Sequence, residues 1–106
     1  MKKGHLINLL QKYLRGGRIK EDPIILLQEY LKEGNIGYKV TFIWDVDDLI
    51  MEPTIYADNI LELNKKITIA LQIMERWWEH VPSYSPEIII RVDENNIVKR
   101  RFKLCQ

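Results

Sequence analysis

One cysteine, Cys105, stands in the 106 residues. A lone thiol excludes an intramolecular disulfide and a multi-cysteine zinc site, and it fits a reducing compartment, so a cytoplasmic location is expected. Histidine is almost as scarce. His5 and His80 carry no ligand spacing with another His or Cys, so neither a metal site nor any other cofactor is expected from them. No apolar run approaches the roughly 18 residues of a membrane span. The opening MKKGHLINLL has too short an apolar stretch for a secretory peptide and no small-residue cleavage signal, so it reads as a first helix. Charge of one sign is missing too: sixteen Lys plus Arg against fifteen Asp plus Glu leave a net charge of +1. A surface built throughout for nucleic acid or anionic lipid is thereby excluded, and any such role must come from a local patch. Alanine occurs only at Ala57 and Ala70 against sixteen isoleucines. That bias is met in AT-rich genomes, in some thermophiles and in small chains carried by viruses and mobile elements.

What remains is the composition of an ordinary folded domain, 46% hydrophobic and 29% charged, and a single domain over residues 1–106 is expected. A chain of this size buries only about 60 to 70% of its unfolded surface. Its stability is therefore modest unless a partner covers an apolar face, and a homodimer is the first expectation.

Leu6, Leu9, Leu10, Tyr13 and Leu14 recur at helical spacing, which predicts a short helix over 5–15 that Gly16 and Gly17 stop. Asp22 is an N-cap before a first-turn Pro23, and Gly34 stands where a helix-ending glycine belongs. A second helix is expected over 23–33, so that 5–34 forms a helical hairpin. From Tyr38 the period becomes two: Tyr38, Val40, Phe42, Trp44 and Val46 alternate with Lys39, Thr41, Ile43, Asp45 and Asp47, a half-buried strand over 38–48. Pro53 punctuates, and Thr54 reads as the N-cap of a long helix over 55–80. Its stripe runs through Ile60, Leu63, Ile67, Ala70, Met74, Trp77 and Val81, widened by Leu71, Ile73 and Trp78. After Pro82 and Pro86, EIIIRV, DENN and IVKRRFKL read as a β-hairpin over 87–104.

The predicted order is ααβαββ. It suits an α+β domain in which a small, mostly antiparallel, three-stranded sheet packs on one long helix, with two short N-terminal helices at an edge. The last strand is placed to pair with its copy in a second chain.

The stretch FIWDVDDLIMEP gathers Asp45, Asp47 and Asp48 behind an apolar run. Carboxylates at the end of a strand suit a hard cation, which is how metal-dependent phosphoryl chemistry is built. The words WDVDDLI resemble the first motif of the haloacid dehalogenase-like phosphatases. That resemblance implies Asp45 as nucleophile and Asp47 as acid/base. Leu49 stands where the motif has threonine, and the likeness covers about ten residues. One helix and one hairpin then remain, too little chain for that family's parallel sheet. A metal-dependent phosphoryl-transfer enzyme at Asp45, Asp47 and Asp48 is accordingly the third reading.

The first reading needs no catalytic apparatus or cofactor. It is a small regulator or inhibitor acting through protein contact, with the acidic loop at Asp45, Asp47 and Asp48 meeting a basic partner. Ile69, set among polar Lys65, Gln72 and Arg76, is read as a further partner contact. The second reading is a nucleic-acid-binding protein: Lys99, Arg101 and Lys103 share one face of the last strand, and Arg91 on the neighbouring strand joins them. Trp77 and Trp78 sit about 100° apart on a helix and are expected to border the buried stripe rather than to form a stacking platform.

Overall fold

The computed structural model describes residues 3–44, 49–77, 88–92 and 99–102. Their elements are α1 (Lys3–Leu14), α2 (Pro23–Leu31), β1 (Ile36–Trp44), β2 (Leu49–Met51), β3 (Thr54–Ala57), α3 (Ile60–Trp77), β4 (Ile88–Val92) and β5 (Lys99–Phe102). The α+β class holds, as does the succession of two short helices, a long strand, a long helix and a hairpin.

The two N-terminal helices follow from their caps. Gly16 at φ 88° ends the turn after α1, a left-handed conformation that glycine adopts without strain. Asp22 accepts a hydrogen bond from the Ile24 amide at 2.8 Å, with Pro23 in the first turn of α2. The far end of α2 differs from expectation, because the helix stops at Leu31 with a right-handed cap at Lys32. Gly34 is needed for another reason. A Cβ there would lie 2.4 Å from the Ala57 nitrogen, so only a glycine lets this turn lie against β3.

The sheet is antiparallel in every pairing and one strand wider than predicted. Its order is β2-β1-β4-β5, with β3 also on β1. Phe42 lies opposite Met51 in the β1–β2 ladder and Lys39 opposite Thr54 in the β1–β3 ladder, three residues on along both strands. One register therefore runs through residues 49–57, and β2 and β3 are two parts of a single edge strand. The break falls at Pro53. Its carbonyl accepts from the Val40 amide at 3.0 Å, but proline has no N–H to return the bond.

This corrects the sequence reading, which took Pro53 and Thr54 as punctuation and began the long helix at 55. Thr54 and Tyr56 are exposed while Ile55 and Ala57 are buried, the period of a strand. The helix begins five residues later. Its N-cap is Asn59, which accepts from the Glu62 amide at 2.9 Å.

The core lies between the helices and one face of the sheet. Leu6 and Leu10 of α1, Leu26, Leu27 and Tyr30 of α2, Tyr38, Val40 and Phe42 of β1, Ile55 and Ala57 of β3, and Ile90 and Val92 of β4 are all buried. From α3 come Leu63, Ile67, Ala70, Leu71, Ile73 and Met74, as the stripe predicts. Full burial of one such aliphatic side chain stabilises by about 1.5–3 kcal/mol. Two apolar residues depart from the expected stripe. Ile69 is 5% exposed and belongs to the core, whereas Trp77 is 44% exposed. Trp78 and Val81 lie outside the described residues. Among the described residues no helix is long and apolar enough to cross a membrane.

Candidate nucleic-acid interface

The inward row on β1 is Tyr38, Val40 and Phe42, so Gly37, Lys39, Thr41 and Ile43 occupy the other face of the sheet. Register extends that face across the neighbouring strands. Ile50 is opposite Ile43 on one side and Ile89 is opposite it on the other. Arg91 is opposite Thr41, Lys99 is opposite Arg91, and Arg101 is opposite Ile89. An isoleucine row therefore crosses three strands and ends at Arg101, with an arginine-lysine row beside it. Glu52, exposed between β2 and β3, lies 3.7 Å from Lys39. Among the described residues of β4 and β5, the charged positions of this face are Arg91, Lys99 and Arg101.

Tyr56 completes the surface. It lies opposite Gly37 and is 37% exposed, and its Cε2 would sit 3.0 Å from a Cβ placed on that glycine. The ring leans across the bare backbone of Gly37, and a larger residue there would push it away. The helices stand on the opposite side of the sheet, where α2 and α3 meet β3.

The residues singled out in the sequence are distributed unevenly over this architecture. Arg91, Lys99 and Arg101 come together on one sheet face, as the alternation in the hairpin predicts. Lys103 lies outside the described residues, as do Asp45, Asp47 and Asp48. Ile69 is a correction: it was expected on an exposed polar side of α3, but the helix is buried over a wide arc that takes in Ile69 as well as Ile73.

Sequence reasoning passed over Lys66, which is fully buried. Its ammonium donates to the carbonyls of Tyr30 at 2.6 Å, of Tyr56 at 2.8 Å, and of Glu33. Its nitrogen is 3.7 Å from a Glu62 carboxylate oxygen and 4.8 Å from the centre of the Tyr30 ring. An ammonium has three donors, and three carbonyls accept them. That arrangement ties the end of α2 to β3. The signal in the sequence was a lysine on the apolar stripe, between Leu63 and Ile67.

Around this lysine the chain is stitched further. Asn35 donates from its amide and from its side chain to the Asp58 carboxylate, each at 3.0 Å. Burial pushes the Tyr30 phenol up to about 12, with the Glu62 and Glu33 carboxylates adding to the rise.

One concavity of the molecule is apolar. A groove of about 310 Å³ runs between α2, α3 and the β1–β2 edge, lined by Ile24, Leu27, Phe42, Met51 and Met74 with Trp77 among them. Among the described residues no three His, Cys, Asp or Glu side chains converge as metal ligands. No family model, no curated protein and no solved structure matches this chain.

Proposed function

We propose that this chain is a binding protein whose ligand is nucleic acid and whose working surface is the open face of the sheet. The observation that carries the reading is the β4–β5 register, which sets Arg91 directly opposite Lys99 and puts Arg101 on the same face. Like charges directly opposite each other across an antiparallel pair destabilise the sheet. A phosphate lying across them relieves that repulsion and releases counterions to solution.

The test is a gel or anisotropy titration with short DNA and RNA at two salt concentrations. For about four phosphate contacts, affinity should fall between 50 and 200 mM salt by roughly 50-fold on single strands and roughly 150-fold on a duplex. Arg91→Glu together with Arg101→Glu should abolish most of the binding and flatten the salt dependence. Binding that survives this double substitution unchanged would remove the hairpin face from consideration.

A second reading is a regulator acting through protein contact, including a second copy of the chain. It draws on the apolar groove and on the exposed Trp77 that lines it, since exposed aromatics beside apolar pockets are frequent anchors in interfaces. Light scattering across protein concentration tests self-association. A constant monomer mass, with no difference between the wild type and Trp77→Ser, would remove the dimer.

A further inference from the structure

We infer that the nucleic acid this face takes is single-stranded, with bases rather than only phosphates meeting the sheet; this rests on the nucleic-acid reading above. The surface is not merely cationic. Between its charges lie the isoleucine row of Ile50, Ile43 and Ile89 and, further along β1, the Tyr56 ring over Gly37. Ile50 is 54% exposed and Tyr56 37% exposed. A duplex presents phosphates and sugar outward and keeps its base faces stacked inside. Laid on this face, it would cover the isoleucines and the tyrosine ring with charged backbone and desolvate phosphate against apolar carbon.

Seating the whole open face in a duplex groove is opposed by its width. Three inter-strand spacings of about 4.8 Å make the sheet roughly 14 Å wide between its outer backbones, broader than the roughly 12 Å major groove. The described helices all pack on the other side of the sheet, so none of them projects from this face to do the reading. An unpaired strand fits better. Its bases turn towards the aromatic ring and the aliphatic row, and its phosphates run past the Arg91–Lys99 pair. From Gly37 to Ile43 β1 advances roughly 20 Å at about 3.4 Å per residue, a path long enough for several nucleotides. Stacking on a tyrosine is tolerant of sequence, because every base offers a π-face. Little sequence preference is expected.

The experiment is fluorescence anisotropy with a labelled mixed-sequence 12-mer of DNA and of RNA, each as a single strand and as its duplex, at fixed salt. The single strands should bind at least tenfold more tightly than the duplexes. Tyr56→Ala should weaken single-strand binding roughly 5- to 150-fold while leaving the salt slope unchanged. Tyr56→Phe should remain within about twofold of wild type, since the stacking surface is kept. Because Tyr56 enters the lysine clamp through its backbone carbonyl, circular dichroism should report a folded protein for both variants.

Equal or tighter binding of duplex would overturn the single-strand inference and leave the nucleic-acid reading standing. Single-strand binding indifferent to Tyr56→Ala would likewise overturn the base-stacking geometry. Failure to bind any of the four probes would overturn both.

Discussion

Replacing Lys66 with methionine keeps much of the side chain's length and removes the ammonium, so its consequence can be worked out from the carbonyls left behind. Three carbonyls now share that ammonium: Tyr30, Glu33 and Tyr56. The loss is unequal among them. The Tyr30 carbonyl also accepts from the Glu33 amide at 3.3 Å and keeps that bond. The Glu33 and Tyr56 carbonyls are only partly buried, and water can reach them in part. A buried acceptor stripped of its donor costs about 1–3 kcal/mol. Against this stands the desolvation of the ammonium, several kcal/mol in the wild type, from which the methionine variant is released. The balance is set at about 3 kcal/mol of lost stability, the upper end for a buried acceptor left without its donor. For a domain near 100 residues that is roughly a 12–18 °C drop in Tm.

Urea denaturation followed by far-ultraviolet circular dichroism and by tryptophan fluorescence measures it, with coincident curves establishing two-state behaviour. A variant within about 1 kcal/mol of wild type, or more stable, would refute the reasoning. It would mean that desolvation outweighs the carbonyl bonds, as happens for some buried ion pairs.

Gly34→Ala puts a methyl 2.4 Å from the Ala57 nitrogen and 2.6 Å from its Cα, so the turn must separate from β3; about 2 kcal/mol or more should be lost in the same urea assay. Ile69→Ala should cost about 2–4 kcal/mol, as for a buried isoleucine, whereas an exposed Ile69 would give a change within about 0.5 kcal/mol. Tyr30 supplies a pH test: its phenol is held up to about 12 in the folded chain, against about 10 in an unfolded one. The unfolded state thus loses this proton first, and stability from this group is complete below pH 10 and drains away between about pH 10 and 12, by roughly 2–3 kcal/mol in all. Tyr30→Phe should flatten that part of the stability curve and remove the latest step from a spectrophotometric tyrosine titration; an unaltered late step would assign it to another tyrosine.

The parts of the fold legible in the sequence were those fixed by local periodicity and capping chemistry. Asp22 before Pro23, the glycines after Leu14 and the alternation from Tyr38 each specify their own surroundings. The strand over 49–57 was hidden because Pro53 reads locally as an interruption. Only its placement on a sheet edge, with the Val40 amide bonded to its carbonyl, makes a proline tolerable there. Ile69 was misread for a related reason. Polar neighbours describe one helical face, while the arc buried on α3 depends on α1, α2 and the sheet closing around it. Lys66 was missed because lysine is by default a surface residue, although its place on the apolar stripe was in view. As for the site, period two brought Arg91, Lys99 and Arg101 onto one face. Tyr56 stayed out of sight as long as 54–57 was counted as helix.

Tyr56 links the two sides of the sheet. Its backbone carbonyl accepts from Lys66 on the buried side at 2.8 Å, and its ring leans over Gly37 on the open side. Gly34 against Ala57, Asn35 on Asp58 and the Lys66 ammonium all act on the same few residues of β3 and its flanks. A short edge strand of four residues, interrupted by proline on one side, would by itself be among the first parts of a small sheet to fray. These contacts hold it in register without placing anything on the outer face. A stacking ring must be fixed before its ligand arrives if ordering it is not to subtract from binding. On the proposed nucleic-acid reading, the buried lysine serves the open face at a distance: it stabilises the strand from behind and leaves the front to aromatic, aliphatic and cationic side chains.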